Sequence, residues 1–201
     1  LVEAAKKFEN LRSFHFSMNH MGGGTPIMVG IEMETVNGFV LAPDKMQVTI
    51  GAYTSGLFLR MEAISIGDQT YMTNPFTKEF ENLSNVITPG GFFDPAEGVG
   101  SIIGKSINTV FLSVETFNGV PVYRIGGMVR SEDLQSISAA AVDGHILMAE
   151  LLIGIDDLLV RQVILEGRIT AEEEDGIVRT IVISDFDEHV TIEVPETGID
   201  S

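Results

Sequence analysis

Apolar and polar residues alternate along most of this chain with a period of two. Ser13–Met21 alternates loosely, with Phe14, Phe16 and Met18 on one side. Ile27, Val29, Ile31 and Met33 form one side of the next run, with Glu32 and Glu34 opposite. Leu57, Leu59, Met61 and Ala63 do the same against Arg60 and Glu62. Val110, Leu112 and Val114 lead through Asn118-Gly119 into 120–129. Runs follow at 145–153, 160–169 and 177–183, and Val190–Val194 is expected to close the set. Successive side chains of a strand point to opposite faces, so this pattern predicts half-buried strands. Asn37-Gly38, Gly67-Asp68, Asn118-Gly119, Asp143-Gly144 and Asp175-Gly176 lie between the apolar runs and read as hairpin turns. The expectation is one antiparallel meander of roughly ten or eleven strands.

Helix signals are few. Val2–Arg12 carries Ala4, Ala5, Phe8 and Leu11 at helical spacing. Asp94-Pro95 reads as an N-cap followed by proline at the first helical position, opening a short helix to about Lys105. Ser131, followed by Glu132 and Asp133, reads as another helix start. No repeat or linker stands out, so residues 1–201 are expected to form a single domain. Helices this few cannot cover so many strands. A mainly β (α+β) fold with a strongly curved sheet wrapped around its own interior is the economical way to bury one face. Such a wrap is either filled by side chains or hollow.

Composition narrows the function. The chain has 29 acidic and 12 basic residues, a formal net charge of -17. It would be repelled by nucleic-acid phosphates and anionic headgroups, which argues against nucleic acid as a partner. Mean hydropathy is nonetheless positive, +0.23, so the apolar residues are concentrated in the strands. Cysteine is absent, which excludes disulfides and thiolate chemistry within these residues. No apolar run reaches the ~18 residues of a membrane span. The chain begins at Leu1, and a leader or anchor is expected to have preceded it.

Candidate chemistry is weak. Gly100 to Ser106 looks like a phosphate loop, but three residues separate its glycines where four are required. Asp185, Asp187 and His189 could share a strand face and hold a metal, although a solvated strand end is the plainer reading. Glu172-Glu-Glu-Asp175 reads as a solvated turn with at most a weak calcium contact. The four histidines lack zinc spacing, and no Gly-x-Ser-x-Gly elbow occurs. No cofactor and no catalytic residue is expected. The nine methionines suit a pliable apolar interior.

Four strings, in order, carry a resemblance. They are Phe8-x-x-Leu11-x-Ser13-Phe14-His15-Phe16, then Ile66-Gly67-Asp68-x-x-Tyr71-Met72-Thr73-Asn74-Pro75-x-Thr77. Next comes Glu115-x-x-Asn118-Gly119-Val120-Pro121-Val122-Tyr123-x-Ile125-x-Gly127. The last is Ile181-Val182-Ile183-Ser184-Asp185-Phe186 with Val190-x-Ile192-x-Val194-Pro195. Together they resemble the mycobacterial-type LppX/LprA/LprF/LprG lipoproteins of the wider LolA/LolB-like group. Where relatives commonly place a tryptophan after the Asn-Pro hairpin, this chain has Phe80.

The resemblance implies a half-barrel sheet with helices on its concave side and a hydrophobic cavity for the acyl chains of lipid or glycolipid. It also implies an extracytoplasmic protein of the cell envelope, membrane-anchored through an acylated cysteine ahead of residue 1. The acidity of this chain points to handover of lipid through an envelope protein partner. The expected cavity walls are Phe14, Phe16, Met18, Val29, Ile31, Met33, Leu57, Leu59, Met61, Leu112 and Val114, with Ile102 and Ile103 as lid residues. A sensor or interaction module on the same fold is the alternative. Hydrolysis of lipid esters would require a serine and a histidine within hydrogen-bond reach at the cavity mouth.

Overall fold

A computed structural model describes residues 1–83, 99–135 and 141–196. The alternating runs become β1 (Ser13–Met21), β2 (Thr25–Met28), β3 (Ile31–Leu41), β4 (Lys45–Thr54), β5 (Leu57–Ile66), β6 (Gln69–Thr73) and β7 (Phe80–Asn82). The second half supplies β8 (Ile107–Phe117), β9 (Val120–Arg130), β10 (Ile146–Gly154), β11 (Val160–Glu166) and β12 (Val178–Ser184). Among the described residues the helices are α1 (Val2–Glu9), α2 (Val99–Lys105) and a single 3-10 turn, Ser131–Leu134.

All twelve strands join one antiparallel sheet in the order β7-β6-β5-β4-β3-β1-β12-β11-β10-β9-β8, with β2 attached only to β3. The sheet is mainly consecutive hairpins. Its seam is β1 against β12, with Phe16 opposite Ile183 and Met18 opposite Ile181. The sheet does not close, and β7 and β8 form its edges.

Its inward face is set by register. Phe16 lies beside Gly38, Gly38 beside Val48 and Val48 beside Ala63, so one row crosses four strands. The next row runs Met18, Val36, Ile50 and Met61. Ala4, Ala5, Phe8 and Leu11, from α1 and the residues after it, pack onto these rows in a continuous apolar core. A second cluster gathers Ile102 of α2, Leu134, Leu147, Ala149 and Leu165 under the other half of the sheet. Both helices therefore lie on the concave side, as the resemblance implied.

Several local readings change. Asn37-Gly38 is not a hairpin but the interior of β3. A Cβ on Gly38 would sit 2.0 Å from the Gln47 carbonyl oxygen, so glycine is there to let β3 and β4 approach. The true turn lies at Pro43-Asp44. Gly38→Val should therefore lower the unfolding free energy by about 2–3 kcal/mol, read from urea titration, because the overlap is with backbone and cannot be relieved by a rotamer. Ser55-Gly56 makes an unforeseen tight turn, both residues having positive φ. The Ile27–Met33 run is broken at Val29-Gly30 into β2 and β3. Val190–Val194 joins no strand, although Ile192 is buried and its carbonyl accepts from Lys45 Nζ.

The phosphate-loop look-alike is helix α2. A Cβ on Gly100 would lie 2.6 Å from Glu9 Cγ and 2.9 Å from the Ala5 carbonyl oxygen. This glycine lets α2 cross α1 closely. The Asp94-Pro95 start assigned to this helix lies outside the described residues. Ser131 does not cap a helix by its side chain. Its hydroxyl instead exchanges hydrogen bonds with the backbone of His145.

Candidate functional site

Between the two core clusters the concave face holds a hollow of about 150 Å³. Its walls come from the seam of the sheet and from the helices above it. Strand β1 contributes Phe14, Phe16 and Met18, and β12 contributes Ile181 and Ile183. Strands β9, β10 and β11 add Val129, Ala149, Leu151, Val163 and Leu165. Phe8 of α1, Leu134, and Val99, Ile102 and Ile103 of α2 form the cover. Among the described residues Ser106 is the sole polar side chain of the lining, and its hydroxyl donates to the Ile102 carbonyl at 3.4 Å. The chemistry on offer is contact with hydrocarbon.

Phe14, Phe16, Met18, Ile102 and Ile103 thus meet around the hollow. The remaining wall candidates do not line it. Met61 and Leu59 are on the inward face of β5 but fully buried, and Met61 belongs to the filled core. Ile31 and Met33 are half-buried at the margin of that core. Val29 is in a turn, and Leu57 stands at a hairpin end, 55% exposed. Leu112 and Val114 sit on edge strand β8, where two register shifts break the alternation and both side chains are exposed. Leu112 instead borders an open groove on the outer face with Val110, Met128, Met148 and Ile164.

The walls from β9 to β12 were not singled out in the sequence, because both faces of those runs are apolar. Leu151, Leu152 and Ile153 are consecutive, as are Ile181, Val182 and Ile183. Without a polar alternate, period two cannot say which side is inward.

One step along the seam beyond Met18 and Ile181, the concave face turns polar. His20 and Arg179 are the next inward pair in register. Arg179 forms a buried ion pair with Glu173, and its Nη1 donates to the Gly167 carbonyl at 2.9 Å. Glu173 Oε2 accepts from the backbone N–H of Ile169 at 2.6 Å and of Thr170 at 3.2 Å. Glu173 is therefore the bolt that folds the 167–177 connection over the sheet. The acidic run containing it is only partly a solvated turn, since Glu172, Glu174 and Asp175 remain exposed.

Thr25 links this pair to His20. Its Oγ1 accepts from Arg179 Nε (3.3 Å) and Nη2 (3.2 Å), and lies 2.8 Å from His20 Nε2. His20 Nδ1 donates to the Glu34 carbonyl at 2.9 Å. Nε2 is then the acceptor of the Thr25 hydroxyl proton, and the ring is neutral. Burial pushes the imidazole below its ordinary value; the Glu34 carbonyl opposes this and the nearby Arg179 adds to it. A depressed histidine leaves the unfolded chain binding more protons, so its contribution is complete above about pH 6.5 and lost as pH falls below that. His20→Gln should flatten the pH dependence of unfolding free energy below pH 6.5 relative to the parent, measured by denaturant titration at stepped pH.

A serine and a histidine do come together, but on the wrong face. His15 Nδ1 lies 3.4 Å from Ser184 Oγ, and His15 Nε2 lies 3.3 Å from Asn37 Oδ1. His15 falls between Phe14 and Phe16, both facing the hollow, so strand alternation puts it outside. Among the described residues no histidine lines the hollow. Asp185 and Asp187 have left-handed φ values in a turn and do not share a strand face. Asp187 Oδ1 accepts the Arg12 N–H at 2.7 Å. Among the described residues no group of three metal-ligating side chains gathers, and no helix is long and apolar enough to cross a membrane.

Known proteins were compared with this geometry. No curated protein sequence matches the chain. Its fold is similar to the crystal structure of LprF from Mycobacterium bovis, with TM-score 0.75 and 15% identity over 98% of this chain and 95% of that one. It is also similar to the lipoprotein LppX of Mycobacterium tuberculosis, with TM-score 0.64 and 12% identity over 96% and 97% of the two chains. Identities this low establish the fold alone. The sequence itself matches the LppX_LprAFG lipoprotein model over residues 1–192, and the chain belongs to that family.

Proposed function

We propose that this protein binds or carries lipid or glycolipid by enclosing an acyl chain in the hollow between the sheet seam and helices α1 and α2. What supports this is a lining in which, among the described residues, Ser106 is the sole polar side chain. Each methylene taken from water into this apolar lining gains about 0.8 kcal/mol. Polar headgroups remain outside, since the lining offers no charge to hold them. Membership of a lipoprotein family supports an extracytoplasmic, envelope-bound protein, anchored through an acylated cysteine that the 201 residues do not contain. The reading is of a carrier and not an enzyme.

The test is organic-solvent extraction of protein purified from its own host, followed by mass spectrometry. Lipid in stoichiometric amount supports the proposal; none, with a crystal structure showing the hollow closed by side chains, overturns it. A second reading, an interaction module for an envelope protein, draws on the outer groove of Val110, Leu112, Met128, Met148 and Ile164. It gains support if Leu112→Asp with Met148→Asp abolishes the protein's role in its host while lipid loading persists.

A further inference from the structure

The exposed large apolar side chains of the β1–β7 half gather at one end of the sheet. Register places the end of β1, the start of β3, the β4–β5 hairpin and the exit of β6 side by side. Met21, Val29, Tyr53, Leu57, Phe58 and Phe76 project from those turns, each at least 42% exposed. Tyr53 and Phe58 hold each other edge-on at 5.2 Å. Exposed apolar groups scattered singly are ordinary, but a set from four adjacent turns is a surface with a use.

Two cations lie among these apolar tips. Arg60 and Lys78 are exposed beside the aromatic tips, and neither is in an ion pair among the described residues. Lys78 Nζ donates to the Arg60 carbonyl at 3.1 Å, which keeps the two together. The nearby carboxylates are Glu32, Glu34, Glu62, Glu79 and Glu81, so the two cations stand among acids in a chain of net charge -17. The turns at the opposite end carry Asp44, Asp68, Asp156, Asp157, Asp185, Asp187 and Glu188. At the same end but over the other half of the sheet lie Asp143, Glu172, Glu174 and Asp175, which confine the apolar region to the corner.

We propose that this corner is a docking surface for a zwitterionic phospholipid membrane. Separate projecting tips suit a fluid apolar phase better than a rigid partner, which would need a complementary relief. Aromatic side chains favour the membrane–water interface. Arg60 and Lys78 supply the complementary charge for headgroup phosphates, with their stems along the apolar tips. Orientation follows from the apolar tips and the two cations beside them. This docking is independent of whether the hollow carries lipid.

The absence of tryptophan from the chain makes the test direct. Phe58→Trp in the 201-residue protein introduces the sole indole. Phosphatidylcholine vesicles should shift its emission to the blue, and the protein should float with them. Adding phosphatidylglycerol should weaken flotation. Leu57→Ser with Phe76→Ser should lower partitioning about tenfold without changing thermal stability, since both side chains are exposed, and Arg60→Glu with Lys78→Glu should lower it further. No emission shift and no flotation overturns the proposal. So does a dimer in light scattering that the Leu57→Ser/Phe76→Ser protein loses while flotation is unchanged, which would make the corner a contact between copies.

Discussion

Val163→Phe combined with Ile181→Phe should lower the lipid recovered from purified protein at least about tenfold while raising the stability of the lipid-free protein by about 1–3 kcal/mol. Ile181 lies opposite both Met18 and Val163, so these side chains form one row across the floor of the hollow. All three are half-buried and line it. Two added rings fill space among apolar lining residues and bury additional apolar surface there. A change in the same row that fills the hollow cannot also leave room for an acyl chain, so stability and loading should move in opposite directions. Mass spectrometry of extracts and urea unfolding measure the two. If the double variant keeps full loading, the acyl chain is held elsewhere. Met61→Arg is a poor substitute for this pair, despite the strand face it shares with the hollow. Met61 is 1% exposed within the filled core, so an arginine there buries an unpaired charge and should prevent folding rather than report on the ligand.

Glu173→Gln should destabilise the protein by about 3–5 kcal/mol, because it leaves the Arg179 guanidinium buried without its counter-charge. Side-chain exposure is 3% for Arg179 and 0% for Glu173, so solvent cannot take over. Two backbone N–H groups, of Ile169 and Thr170, also lose a charged acceptor. For a chain of this size the melting temperature should fall by roughly 10 °C, at about 2–4 °C per kcal/mol. Glu173→Leu with Arg179→Met should recover most of the loss, since replacing both members of a buried pair by apolar groups is often near neutral. If Glu173→Gln melts within a degree or two of the parent, the 167–177 connection is not held as described.

What could be read from the sequence followed from local rules. Strand existence, the antiparallel order and the inward parity of β1 and β5 all derive from a side chain's fixed alternation, which needs no neighbour to define it. Phe14, Phe16 and Met18 border the hollow for that reason. Where polar alternates are missing, as at 151–153 and 181–183, the same rule gives no side, and half of the hollow's wall went unnamed. Asn37-Gly38 misled because glycine marks both a turn and a close backbone approach. The Gln47 carbonyl decides between them, and it belongs to another strand.

Charge followed the same division. The sequence by itself determined that this chain is acidic, cysteine-free, built of alternating strands and similar to a lipoprotein family. It could not say that Glu173 is the buried member of an acidic run, that His20 is neutral against Thr25, or that Met61 fills core where Met18 borders a hollow. Those depend on which strands become neighbours across the β1–β12 seam and on how closely α1 and α2 approach at Gly100. Burial is a property of the assembled surface, and residues 154 positions apart, such as Thr25 and Arg179, acquire their chemistry only when the sheet brings them together.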